Sequence, residues 1–413
     1  MASLALTGGY AVKSQPGGYL TWPVGGPLEE EALKRVLRSG QWGTMGPEAT
    51  AFSREYADYC QAKHGLSVIN GTVSLELILR ALEIGRGDEV IVPPYTFSAT
   101  VHAVCMAGAV PVFADTDQQT YTLLPASVED RITPRTRAII AVHLGGRPCD
   151  MDALNEIASR HHLALIEDAA HAHGSEWKGQ RAGSLGTAGS FSFQASKNIS
   201  CGEGGFITTN DTALYEKLWK IHNSGRELNG PIEPVVSANA RMAEWQAAVL
   251  RARMERIDRD IETRSANAEY LSRQMERFPF LETLQEDERV TRNSLHLFVF
   301  KYKSQGLKGV GRDLFIRALN AENVAMAAEG YNEPIYRMRF LYDDAFTRMT
   351  GCVFTDPTDQ LPNNENCAAR EGCWLYHSSL LGDRRDMDDM LEALEKIERH
   401  ADELLALGRD EHE

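Results

Sequence analysis

The stretch RAIIAVHLGGRPCDMDALNEIASRHHLALIEDAAH, running from Arg137 to His171, decides the fold. Its first apolar run, Arg137 to Leu144, reads as a strand. Asp152 to His162 reads as a helix and Leu163 to Ile166 as a second strand. Working outward, the same alternation continues. Upstream, Ser74 to Ile84 is helical, with Leu75, Ile78, Leu79 and Leu82 on one face. Glu89 to Pro93 is a short buried strand, Thr100 to Ala107 a helix and Val110 to Phe113 a strand. Downstream, Gly189 to Phe193 and Phe206 to Thr209 are strands, and a helix lies near Asp211 to Ile221. Strands alternating with helices predict an α/β fold around a mostly parallel, doubly wound sheet. Such sheets bind ligands beyond the carboxyl ends of their strands.

The texture changes after the sheet. Met242 to Arg277 contains neither Gly nor Pro and predicts one or two long helices. Leu295 to Tyr302 then reads as a strand and Asp313 to Ala321 as a helix. Met387, Met390, Leu391, Leu394 and Ile397 form one helical face near the end. This predicts a large α/β domain over residues 1–255 and a smaller α+β domain over 256–413. The length, 413 residues, suits two or three domains at roughly 150 residues each. Hydrophobic residues make up 43% and charged residues 24%, which excludes wholesale disorder. The net charge of −15 argues against nucleic acid as a partner, because binding a phosphate backbone wants the opposite sign. The 7 cysteines are scattered without a CxxC pair, so they read as reduced thiols. The opening MASLALTGGY lacks the basic region of a signal peptide. No apolar run approaches the roughly 20 residues of a membrane helix. A soluble, cytoplasmic protein is expected.

Common catalytic signatures fail. The chain has no G-x-x-x-x-G-K-[ST], no G-x-G-x-x-G after a strand and no H-E-x-x-H. His171 and His173, with His161 and His162 nearby, lack a third metal ligand. They read as hydrogen-bonded histidines near a pocket, and no metal is expected.

Four segments carry chemistry, and each has a plainer reading when taken alone. Asn70-Gly71-Thr72-Val73-Ser74 opens a helix, whose free N–H groups suit a phosphate; it could be only a capped helix. Pro93-Pro94-Tyr95-Thr96-Phe97 follows a strand and offers an aromatic cover for a flat ring, or core packing. Glu167-Asp168 ends an apolar strand, where a buried acid needs a cationic partner; a helix cap is the alternative. Lys197 follows the strand GSFSF and precedes Gly202-Glu203-Gly204-Gly205, at a tight bend; most lysines are surface residues. Together the segments describe one cofactor. Pyridoxal 5'-phosphate needs a lysine for its aldehyde, a carboxylate for its ring nitrogen, an aromatic over the ring and a phosphate cup.

At these residues the sequence resembles the DegT/DnrJ/EryC1/StrS family of sugar aminotransferases, which are fold-type I pyridoxal-phosphate enzymes. The resemblance covers nearly the whole chain through GDEVIVPPYTFSAT, VHLGGRPCDMDAL, IEDAAHAHGS, GSFSFQASKNISCGEGGFITT and SANARMAEWQAAVL. The stretches LTGGYAV, TWPV, SGQWG, EGYNEPIY and WLYHSSLLG are most similar to one branch. That branch holds aminotransferases of keto-cyclitols and the aminohydroxybenzoate synthases. The resemblance implies that Lys197 is the Schiff-base lysine and Asp168 the partner of the pyridine nitrogen. It implies that His171 sits beside the ring hydroxyl and that Phe97 stacks on the ring. Thr72, the Val73 backbone and Ser192, with the adjoining Gly71, would form the phosphate cup. Asn239 would reach the phosphate of a second subunit, which implies a homodimer with shared active sites. Where the family often has an aromatic after that asparagine, this chain has Ala240. Relatives that dehydrate sugars replace the lysine by histidine, and Lys197 argues against that subgroup. Trp42, Tyr331 and His377 lie in branch-like motifs and are candidates to line the substrate pocket.

The expected function is transfer of an amino group from L-glutamine or L-glutamate to a keto-cyclitol or keto-sugar of secondary metabolism. The alternative is an aminohydroxybenzoate-type synthase, a lyase using the same lysine. A regulatory, non-enzymatic relative is a third class, against which the intact Lys197, Asp168 and Phe97 speak.

Overall fold

The computed structural model describes residues 3–43, 46–228 and 230–410. Helices α1 (Pro27–Ser39) and α2 (Pro47–Tyr59) come first, each opening on a proline whose missing N–H is unneeded in a first turn. The main sheet takes β1 (His64–Val68), β2 (Glu89–Val92), β3 (Val110–Phe113), β4 (Thr136–Val142) and β5 (Ala164–Asp168). A small hairpin, β6 (Glu176–Trp177) and β7 (Gln180–Arg181), interrupts it before β8 (Ala188–Ser192) and β9 (Gly205–Thr209). The spatial order is β1-β9-β8-β5-β4-β2-β3, and all but β9 run parallel. The carboxyl ends of β1, β2, β4, β5 and β8 therefore share one edge.

The connecting helices are α3 (Gly71–Ala81), α4 (Ala99–Met106), α5 (Pro125–Asp130), α6 (Met151–His161) and α7 (Thr212–His222). β4 is buried over almost its whole length, because its two faces feed different cores. Ala138 and Ile140 pack with Ile78 and Val104, whereas Ile139 and Ala141 pack with Leu154 and Ile157 of α6. Period-2 alternation on a strand covered from both sides produces this division. The expected long helical region is two helices, α8 (Glu244–Met254) and α9 (Ile257–Met275), with Arg256 as the N-cap of the second.

A second sheet, with order β10-β11-β13-β12, is formed by β10 (Leu281–Thr283), β11 (Leu297–Tyr302), β12 (Ala327–Ala328) and β13 (Gly372–Tyr376). It packs on helices 312–321 and 384–399 through Phe300, Phe315, Met390 and Leu394. The two cores exchange chain. Leu4 belongs to the second core, whereas Ile335, Tyr336, Leu341 and Phe346 belong to the first. Among the described residues, no helix is long and apolar enough to cross a membrane.

Candidate active site

A cavity of about 580 Å³ opens at the shared strand edge. Of the residues expected at the site, Gly71, Thr72, Phe97, Asp168, His171, Ser192, Lys197 and Tyr331 line it. β1 delivers the chain to Asn70, whose extended backbone (φ −166°, ψ 172°) places its side chain as the cap of α3. The cap takes one amide out of use, since Val73 N donates to Asn70 Oδ1 at 2.9 Å. The residues at the cavity wall are Gly71 and Thr72, one turn position earlier, with Ser192 opposite. Gly71 is required there. A Cβ on it would stand 2.9 Å from Ser192 Cβ, so the helix end and β8 close together only over a glycine. The result is a cup with a helix dipole aimed into it, suited to a phosphate dianion.

Asp168 ends β5 inside the cavity, and neighbouring Glu167 points to the opposite face of the strand. Glu167 is wholly occupied. It accepts from the Gly183, Leu185 and Gly186 amides at 2.8, 2.8 and 2.9 Å, and its Oε2 lies 3.0 Å from His143 Nε2. Asp168 is held more lightly. Thr100 Oγ1 donates to its Oδ2 at 2.8 Å and Ala170 N to its Oδ1 at 3.3 Å. Burial raises the Asp168 pKa above the usual carboxylate range, and the bonds from Thr100 and Ala170 and the charge of Lys197 only partly offset it. A buried carboxylate in that condition wants a cation, and a protonated ring nitrogen would serve.

Lys197 lies past β8, half-buried, and lines the cavity. Burial lowers its pKa from 10.5 to about 8, against the opposing pull of Asp168. The sign follows from which form burial penalises: the charged ammonium is disfavoured, so the neutral amine prevails above about pH 8. Competitive labelling of the cofactor-free protein with acetic anhydride should therefore show half-maximal reactivity of Lys197 near pH 8. A midpoint near 10.5 would contradict this environment.

Phe97 lines the same cavity yet is 60% exposed, which leaves a large aromatic side chain available to cover a flat ligand ring. His171 Nδ1 accepts from the Gly145 amide at 3.3 Å, so its proton sits on Nε2. His173 instead braces the core, with Nδ1 2.6 Å from Tyr56 OH and Nε2 2.9 Å from Ser192 O. A phosphate cup closed by Gly71, a buried acid, a lysine whose pKa burial lowers and an exposed aromatic ring fit pyridoxal phosphate.

Besides Val73, three of the expected residues do not line this cavity, and of these Asn239 is expected at the site of a second subunit. Asn239 is exposed, and its Oδ1 accepts from Arg241 Nε at 2.9 Å. Trp42 is 50% exposed and packs on Trp245, with ring centroids 5.8 Å apart. His377 is buried behind the lysine, its Nε2 donating to Ser196 O at 3.0 Å. Ala240, where the family often has an aromatic, is buried in the first core. The cavity also includes residues that sequence reasoning did not single out: Thr100, Gln194, Glu203, His296, Trp374 and Tyr376. Thr100 was within reach, three positions after Phe97 and on the same side of a helix start. The aromatic pair Trp374 and Tyr331, 5.0 Å apart at 78°, depends on a strand of the second sheet and had no local signal.

A sequence profile described as the DegT/DnrJ/EryC1/StrS aminotransferase family matches residues 25–394. The chain belongs to this family. It is a pyridoxal phosphate-dependent aminotransferase of fold-type I. It is 36% identical to a Streptomyces kanamyceticus protein assigned as an L-glutamine:3-amino-2,3-dideoxy-scyllo-inosose aminotransferase, over 97% of this chain and 98% of that one. It is 37% identical to the L-glutamine:2-deoxy-scyllo-inosose aminotransferase of Streptomyces lividus, over 98% and 99% of the two chains. Among solved structures it resembles 3-amino-5-hydroxybenzoic acid synthase, with a TM-score of 0.84 and 34% identity over 96% of this chain and 100% of that one.

Proposed function

We propose that this enzyme transfers an amino group from L-glutamine to the ketone of a keto-cyclitol, a step in making an aminocyclitol. The observation that carries the reading is one cavity lined by Lys197, its pKa lowered by burial, and a buried Asp168, in a chain similar over nearly its whole length to relatives named for inosose substrates. Bound pyridoxal phosphate would supply an aldehyde that takes up amines and a ring that accepts the electron pair left at the donor carbon. Gly71, Thr72 and Ser192 would hold its phosphate, Phe97 its ring face and His171 the edge bearing the hydroxyl. Asp168 would keep a proton on the ring nitrogen, held in aim by the Thr100 hydroxyl. Lys197 would take the donor's α-proton on Nζ and return it two bonds away, a task eased by a pKa lowered towards working pH. We also infer a homodimer with shared sites. The exposure of Asn239 and of Phe97 supports it, because a second subunit would cover both.

The test is an assay of the loaded enzyme with L-glutamine against keto-cyclitols and nucleotide-linked keto-sugars. Amine formation on a free keto-cyclitol, with matching loss of glutamine, is the expected result. Turnover that consumes no amino donor and yields a dehydrated, aromatic product would instead favour the aminohydroxybenzoate-type reading, which the likeness to the synthase structure keeps as the second choice.

A further inference from the structure

Lys197 sits on the irregular segment between β8 and β9, not on a strand or helix. A catalytic amine on a loop needs its backbone fixed by something else, because a displacement of about 1 Å can cost on the order of a hundredfold in rate. Its own turn supplies bonds to Gln194 alone, from Lys197 N to Gln194 O at 2.9 Å and from Ser196 N to Gln194 Oε1 at 2.8 Å. The peptide carbonyls on either side are taken by remote groups. Trp22 Nε1 donates to Lys197 O at 3.1 Å, and His377 Nε2 donates to Ser196 O at 3.0 Å. The two donors brace each other, with the Trp22 ring edge-on to His377 at 4.5 Å and 89°. Arg253 stacks over Trp22 at 5.5 Å. The next residue is held from the same side. Asn198 Nδ2 donates to Ser294 O at 2.8 Å, and His296 Nδ1 donates to Asn198 Oδ1 at 2.9 Å.

We propose that Trp22 and His377 are positioning residues that clamp the peptide of Lys197 and so fix where its amine returns in each half of the reaction. The clamp reaches the lysine from the N-terminal segment and from the end of β13. Burial, together with the positive Arg264 and Lys197 nearby, pushes the His377 pKa down to about 3. His377 thus stays neutral with its proton on Nε2, and its bond to Ser196 persists over the working pH range. The proposal rests on the reading of Lys197 as the amine-handling residue.

Three variants test it: Trp22→Phe, which keeps an aromatic ring and removes the donor; His377→Leu, which removes the other; and His377→Gln, whose amide nitrogen reaches the place of Nε2. The half-reaction with L-glutamine is followed in the loaded enzymes, and the labelling midpoint of Lys197 in the cofactor-free proteins. W22F and H377L should each slow the half-reaction on the order of tenfold with KM nearly unchanged. They should also move the Lys197 midpoint up from about 8 as the amine gains solvent. H377Q should recover most of both. Wild-type rate and midpoint in W22F and H377L, or a lower melting temperature as their only change, would overturn the clamp. Lys197→Ala run alongside separates the two claims: if it is inactive while W22F and H377L are normal, only the clamp falls, and if it is active, the reading of Lys197 falls as well.

Discussion

Lys197→Ala should lose amino transfer by at least about a thousandfold, because one substitution removes both the covalent anchor and the proton carrier. The loaded variant should also lack the visible absorbance that the lysine-bound cofactor gives the wild type. Its fold should survive. Burial holds the Lys197 pKa at about 8, below its ordinary 10.5, so at neutral pH the folded protein bears the expense of a confined ammonium. Linkage fixes the sign. Between about 8 and 10.5 the unfolded chain binds more protons at this site, so Lys197 disfavours folding below that window and ceases to do so as pH rises through it. Replacing it with alanine should leave the melting temperature at pH 7 unchanged or slightly higher. Stopped assays for glutamine loss and product amine, with a melting curve as control, check this. Retained turnover would remove Lys197 from the mechanism.

Asp168→Asn is the second large effect. The variant should still take up the cofactor, since the phosphate cup of Gly71, Thr72 and Ser192 is untouched. It should react poorly, because an amide cannot keep a proton on the ring nitrogen. One pK unit of mismatch is worth about 1.4 kcal/mol, so a loss of two units slows the reaction about a hundredfold. Thr100 should contribute in the same direction but less, as it aims the carboxylate and does not carry the charge. D168N should also shift the labelling midpoint of Lys197 further down, since the Asp168 charge is what raises it. Normal turnover in D168N would remove the electron-accepting argument.

The parts of this molecule that sequence reveals are those governed by local pattern. The runs Arg137 to Leu144 and Leu163 to Ile166 are legible because strands buried on both faces lose their polar alternation, and they appear as β4 and β5. Asp168 and Lys197 are legible because a polar group at the exit of such a strand is expensive without a role. Contacts set by long-range closure are not legible. His377 meets Ser196 across 181 residues, and only the packing of the second sheet brings it there, behind the lysine instead of on the cavity wall. The Val73 amide looks free for a phosphate until the Asn70 rotamer is known. Residues 335–346 carry no strong period, yet Tyr336, Leu341 and Phe346 complete the first core, because their burial depends on neighbours far away in sequence.

The central claim is a covalent bond between the Lys197 amine and the aldehyde of pyridoxal phosphate. Borohydride reduction of the loaded enzyme followed by peptide mass mapping tests it most directly. The account predicts a pyridoxyl adduct on the peptide containing Lys197. An adduct on any other lysine, or none at all in protein that binds the cofactor, would contradict it.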